Sequence, residues 1–383
     1  MNIELITAIV FYAIIGVVIY KNRKKMQIID KLFFVFKSEK AINFIKKVAK
    51  PKWFWRIVST ISIPICLYFM IFGIHALASN AIEMFNTPDP SAGVSLLIPG
   101  IKLPGSELYV PFWYGIISII ILAVSHEFSH GVIGESEGIK AKTTGVGLFL
   151  LFPLAFVEPD EKSYKKASKI SKIRMLCAGS FANFIVSLLA TLIIIYLFTP
   201  IISNLVTYDQ VIINSVEIGM PANIANITDN STLISINNES IFNQTQFYEI
   251  LLTINPNQTI LVETDKGFFN LTTTSRSDNE SQAYLGVITT QDWSFKEEWK
   301  NYPLWLLSIP LILVQLLMWI SNINFSVGVF NLFPLWITDG GKIIYEIFGT
   351  FIKDNKKLNI VASLIFYLCL SILLFNMFWP LFS

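Results

Sequence analysis

Histidine, cysteine and charge are all scarce in this chain. Of 383 residues only three are histidine and three are cysteine, and just 15% carry charge. Cys66, Cys177 and Cys369 each lie inside an apolar block. They read as small core hydrophobes, which excludes a disulfide framework or a cysteine-type metal site. A net charge of +2 gives no electrostatic footprint for nucleic acid, so no nucleic-acid partner is expected. What is abundant is apolar: 53% of the residues are hydrophobic and the mean hydropathy is +0.57. The apolar residues come in long blocks, not at strand or amphipathic-helix spacing, which marks a membrane protein and excludes an ordinary soluble domain.

Six blocks are long enough to cross a bilayer core: about 3–20, 57–79, 111–133, 173–198, 304–328 and 358–379. The first is followed at once by "KNRKK" and lacks a basic n-region and a small-x-small cleavage site, so it is expected to stay as an anchor. Segments 21–56, 135–174 and 339–357 hold 24 of the 29 lysines and arginines. The positive-inside rule makes these three cytoplasmic, with both termini and the stretches 80–110 and 199–302 outside. A multi-pass protein of the plasma membrane is expected.

Composition changes between 206 and about 290. There the chain is polar, asparagine-rich and broken into short alternating runs such as "QTILVET" and "FFNLTTT", which predict a small β-rich domain. Sequons at Asn226, Asn238, Asn257 and Asn270 fit an external location. The expected organisation is two anchoring helices with a basic hairpin (1–82), a first half of the membrane core (83–200), the external domain (206–290) and a second half of the core (303–383).

Two of the three histidines fall in "SHEFSH", at the end of the third apolar block. On a helix, residues four apart share a face, so His126 and His130 can grip one metal ion. Glu127, at the edge of that face, can act on a water as general base. Ionisable groups at membrane depth are costly and point to function. His75 stands alone and reads as structural. A catalytic zinc uses three protein ligands and an open position. With no third histidine available, the missing ligand should be a carboxylate. Asp339, after the apolar run "GVFNLFPLWIT", falls at a similar depth near the cytoplasmic end of the fifth block.

"HEFSH" together with "NLFPLWITDGG" resembles the site-2 protease family of intramembrane zinc metalloproteases. Asn331, Pro334, Asp339 and Gly340 fall at the spacing of that family's N-x-x-P-x-x-x-x-D-G motif, with Thr338 where leucine is usual. "AGSFANF" at 178–184 is close to its A-G-P-x-x-N, with Ser180 in place of proline and Asn183 on the asparagine. "IPGIKLPG" at 98–105 and "GVGLFLLFPLAFVEPDEK" at 145–162 extend the likeness. "VEIGMPANIANI", "LISINNESI" and "FYEILLTINPNQTILVETDKG" resemble, in order and spacing, a PDZ domain inserted in these proteases.

The resemblance implies a polytopic α-helical membrane protein of about six spans carrying a PDZ-like insert. Its activity would be cleavage of membrane-spanning substrate proteins within the lipid, after a trimming cut by a site-1-type protease. Zn2+ would be held by His126, His130 and Asp339, with Glu127 as general base. Asn331 is carried over as a catalytic polar group near the scissile peptide that also binds the substrate backbone. Asn183 is carried over as a substrate-binding residue, with an interhelical hydrogen bond as the alternative. Pro334 should break the fifth span so that the following residues line the site. "GVGLFLLF" reads as a short strand or re-entrant segment that offers an edge to the unwound substrate, with simple packing against the core as the alternative. The external domain would exclude untrimmed proteins or bind a freed C-terminus. A metal transporter built on the same ligands gives Glu127 no task, and a non-catalytic membrane-protein-binding relative leaves the intact H-E-x-x-H unexplained.

Overall fold

A computed structural model describes residues 3–22, 27–29, 33–85, 93–102, 108–149, 152–276 and 279–379. Arg23–Lys25 of the basic run, Leu103–Gly105 of "IPGIKLPG" and Leu150–Leu151 of "GVGLFLLF" lie outside the described residues. In chain order the elements begin with α1 (Ile3–Asn22), β1 (Gln27–Ile29), β2 (Phe33–Lys37), α2 (Glu39–Val48), α3 (Lys52–Met84) and α4 (Phe112–Ser136). Next come β3 (Ala141–Phe149), β4 (Phe152–Pro159), α5 (Glu161–Lys166), α6 (Lys169–Ile193) and, after a π turn, α7 (Thr199–Leu205). A β-rich stretch follows: β5 (Val206–Val216), α8 (Pro221–Ile224), β6 (Ser231–Ile236), β7 (Glu239–Ser240), α9 (Gln244–Thr253), β8 (Thr259–Thr264), β9 (Gly267–Thr272), β10 (Thr274–Arg276), β11 (Asn279–Tyr284) and β12 (Val287–Phe295). The chain closes with α10 (Leu304–Asn331), α11 (Asp339–Phe351) and α12 (Asn355–Phe378).

Contacts divide the chain into two units, 1–195 with 313–383, and 196–312. Among the described residues, six helical stretches are long and apolar enough to span a membrane: α1, α3, α4, Lys169–Leu205, α10 and α12. The protein is therefore polytopic and helical, with an inserted β-rich region. In α1 no residue is buried, and in α6 the side chains of Leu188, Leu189 and Leu192 stay exposed, as expected of surfaces solvated by lipid.

The membrane unit packs α4 against α6, and α6 against α3 and α11. Cys66, Met70, Leu176, Cys177, Phe184, Leu332 and Ile343 form its central apolar cluster. All three cysteines are buried and free, and the Cys66 thiol donates to the Cys177 carbonyl at 3.4 Å. Where the helices need polar glue, short side chains supply it. Asn80 donates to Asn376 Oδ1 at 2.8 Å, and Ser187 and Thr191 on α6 each meet Ser321 on α10 at 2.9 Å. The helix carrying the histidines stops at Gly138, whose φ of +86° suits glycine, and the Ile139 N–H closes the end on the Gly134 carbonyl at 2.8 Å.

One expectation needs correcting here, and it follows from a sheet that the basic hairpin shares. The "basic hairpin" between the first two spans contains β1 and β2, which join β3 and β4 in an antiparallel sheet of order β1-β2-β3-β4. The aromatic, β-branched run "FFVFK" carries that signal, although lysines surround it. In consequence "GVGLFLLF" does enter a strand, β3, but β3 has β2 on one side and β4 on the other. Both its sides are paired, and the edge strand that borders the cavity described below is β4.

The second unit is a sheet of order β12-β5-β6-β8-β9, with β7 on β6 and a β10-β11 hairpin beside it. It has its own core, including Val211, Ile213, Leu233, Ile236, Phe247, Ile260, Val262 and Leu271. Its asparagines have a backbone task. Asn226, Asn230, Asn237, Asn238 and Asn257 all take positive φ, between 51° and 68°, in tight turns.

Candidate metal centre

The H-E-x-x-H residues lie in the last three turns of α4, where the flanking chain is at its most buried. His126 is 8% exposed and His130 7%. The carboxylate that meets them comes from beyond the break expected at Pro334. Asp339 is not the end of the fifth span; α10 stops at Asn331, three residues before Pro334, and Asp339 is the first residue of α11. A helix is disfavoured at the residue preceding proline, so the chain turns there. Thr338, at the position where leucine was expected, is the N-cap of α11, and its hydroxyl accepts from Gly341 N at 3.4 Å. The turn folds tightly over the start of the helix: a Cβ on Gly340 would sit 1.9 Å from the Leu332 carbonyl oxygen, and one on Gly341 2.0 Å from that of Leu335.

The resulting geometry is a cluster of three donor atoms. Asp339 Oδ2 lies 3.2 Å from His126 Nε2 and 2.9 Å from His130 Nε2, and the two Nε2 atoms are 3.0 Å apart. Tetrahedral ligands at zinc distances are roughly 3.3 Å from one another, so this spacing fits a zinc-sized ion with little adjustment. His130 Nδ1 meets the Met175 carbonyl oxygen at 2.7 Å. A carbonyl only accepts, so Nδ1 carries the proton and Nε2 presents a lone pair, the form a metal needs. Gly179 on α6 makes room: a Cβ there would stand 2.5 Å from both Nε2 atoms. The donor set, its spacing and this bare glycine all suit a metal ion. Lys342 Nζ approaches the other Asp339 oxygen, Oδ1, at 3.4 Å.

Glu127 does not join the cluster. Its Oε2 accepts from Val157 N on β4 at 2.9 Å, which holds the carboxylate beside the histidines. A cavity of about 850 Å³ contains all four groups and is walled by Ala155, Phe156 and Val157 of β4, by Asn331, Trp336 and Ile337 of the turn, and by Tyr164, Lys342 and Glu346. Asn331 thus lines the same space as the donor atoms. Burial and the nearby Glu346 carboxylate push the Tyr164 phenol up to about 12, so it is a neutral hydrogen-bonding group. Lys172 pairs with Glu346 at 3.0 Å and lies 5.2 Å over the Tyr164 ring. Sequence reasoning missed this polar end of the cavity, because its members are scattered over α5, α6 and α11 with no fixed spacing.

Asn183 takes the interhelical role given as its alternative. It is fully buried and is not part of the cavity wall. Its amide lies behind the site, 3.1 Å from His126 Nδ1 and 3.3 Å from Ser125 Oγ, so it bridges α6 to α4 and does not face substrate. Ser180, in the position of the family's proline, leaves α6 unbroken, and its buried Oγ has no partner among the described residues. His75 is exposed on α3 and belongs to no part of the site.

Residues 114–374 match Peptidase family M50. The chain belongs to that family. The matched segment runs from the start of α4 to near the end of α12 and so contains both histidines, Glu127 and Asp339. The chain is also similar to the uncharacterized protein MJ0971 of Methanocaldococcus jannaschii, at 26% identity over 361 residues, which cover 93% of this chain and 89% of that protein. Family membership and the six apolar helices make this a multi-pass membrane protein of a metallopeptidase family.

Proposed function

We propose that the protein is a zinc endopeptidase that cuts the membrane-spanning segments of other proteins. The observation that carries this reading is the meeting of His126, His130 and Asp339 donor atoms at 2.9–3.2 Å inside a cavity that also holds the Glu127 carboxylate. Zinc held by these three residues would supply Lewis-acid polarisation of a water and of the scissile carbonyl. Glu127 takes the proton from the attacking water and returns it to the leaving amine. Its anchored Oε2 fixes the carboxylate, leaving Oε1 for proton transfer. Asn331, on the cavity wall, hydrogen-bonds the substrate backbone or the developing oxyanion.

A helical substrate must be unwound before attack, and freed amides in lipid cost several kcal/mol each unless they are re-paired. The open edge of β4 can re-pair them. Outward groups repeat every second residue along a strand, so Ala155 presents its N–H and carbonyl on the same side as Val157, toward the cavity. The unwound segment adds as a fifth strand there, which brings its carbonyls past Glu127. By the charge asymmetry of the loops, the site opens toward the cytoplasm and the β-rich unit lies outside. That unit, PDZ-like in element order, selects substrates already trimmed by another protease.

Zinc content and cleavage of a single-span substrate, measured on the same purified protein, test the reading. A stoichiometric zinc with cleavage that requires Glu127 is expected; zinc without cleavage of any single-span substrate would favour a carrier.

A further inference from the structure

The two histidines are alike in sequence but are held differently. His130 Nδ1 rests directly on a backbone carbonyl, that of Met175. His126 Nδ1 meets the amide of Asn183 through its Nδ2 as placed, at 3.1 Å, and a half-turn of the amide exchanges donor for acceptor there. The choice matters. With the amide nitrogen facing Nδ1, the imidazole would carry its proton on Nε2, the atom that must ligate.

The groups behind the amide accommodate the orientation that metal binding requires. Its other end lies 3.3 Å from Ser125 Oγ, and that hydroxyl lies 3.1 Å from the Leu122 carbonyl oxygen. The serine hydroxyl can donate to that carbonyl, and with the amide half-turned its oxygen accepts from the amide NH2. The amide oxygen then faces His126, Nδ1 keeps its proton, and Nε2 is free to bind metal. Asn183 is fully buried, so no water competes for either end.

We propose that Asn183 is a positioning residue that fixes the metal-binding tautomer of His126, through the one-way chain His126 Nδ1–H to Asn183 to Ser125 to the Leu122 carbonyl. Both imidazoles are thereby referred to backbone carbonyls, one directly and one through a two-residue relay. The inference rests on the zinc reading of the site.

The test is zinc affinity of the full-length protein in detergent, measured by competition with a chromophoric chelator, for wild type, Asn183→Leu, Asn183→Asp, Ser125→Ala and His130→Ala. Asn183→Leu removes the acceptor and is expected to weaken zinc binding about 10–100-fold, the range for loss of a histidine's supporting partner. Asn183→Asp keeps an oxygen for Nδ1–H and is expected to stay within about threefold of wild type. Ser125→Ala, which keeps the amide but frees its orientation, should fall between them. Thermal unfolding of the metal-free proteins separates positioning from packing, since a purely interhelical role would lower stability equally in Leu and Asp variants without this order of affinities. Wild-type affinity in Asn183→Leu, or equal weakening in the Asp variant, would overturn the proposal. A wild-type protein with no zinc site that His130→Ala removes would instead overturn the underlying reading.

Discussion

Glu127 on α4 is tied to Val157 on β4: the glutamate's Oε2 accepts the backbone N–H at 2.9 Å. One hydrogen bond thus connects the proposed acid–base group to an edge strand of a sheet. It orients the carboxylate, and it makes the strand that would receive a substrate and the group that would act on it parts of one rigid assembly.

Glu127→Gln preserves an acceptor for Val157 N–H and leaves the three donor residues untouched. Zinc content and thermal stability should match wild type, while cleavage falls by about 10²–10⁴-fold, the usual contribution of general acid–base catalysis. Full activity in this variant, measured with a single-span substrate, would remove the role.

Ala155→Pro probes the strand edge. Its N–H faces away from β3, so proline there keeps the ladder while deleting one donor offered to substrate. The neighbouring Pro153 shows that β4 accepts the ring. Loss of one substrate hydrogen bond predicts about a tenfold fall in kcat/KM with zinc content unchanged. Unaltered kcat/KM would mean that substrate does not pair with β4.

Gly179→Ala tests how closely α6 must approach the cluster. The new methyl would stand 2.5 Å from both imidazole Nε2 atoms, and the helix cannot yield without moving the Met175 carbonyl that holds His130. Zinc per chain should drop well below one although alanine favours the helix by about 1 kcal/mol over glycine. Stoichiometric zinc in this variant would show that the imidazoles sit elsewhere when loaded.

The β-rich unit carries an apolar core of its own, so replacing residues 206–295 with a short flexible linker removes a folded body and not part of another. Cleavage of untrimmed substrates should rise relative to trimmed ones. An unchanged ratio would argue against substrate selection by this unit.

Much of this could be read from the residues. The six spans follow from uninterrupted apolar length, and the His126–His130 face follows from helical spacing. Asp339 is legible by elimination in a chain with three histidines, and the break at Pro334 from its motif, but not the cap at Thr338 that makes Asp339 the first residue of a new helix. The β1–β2 hairpin was obscured because its lysines look like loop composition, and strand partners are set by contacts far along the chain. Asn183 is legible from its motif with two roles open, and the structure shows the interhelical one, since one asparagine on a span says nothing of which neighbour its amide meets. The asparagines of the β-rich unit look like modification sites in sequence, whereas Asn226, Asn238 and Asn257 have a conformational reason to be asparagine.

The measurement that bears most directly on the whole reading is zinc per chain in wild type and Asp339→Ala, with proteolysis assayed on the same samples. One zinc per chain and active cleavage are expected for wild type, and loss of both for Asp339→Ala, which leaves two imidazoles where a catalytic zinc needs three protein ligands. A wild-type protein that cleaves without zinc, or an Asp339→Ala protein that keeps both metal and activity, would contradict it.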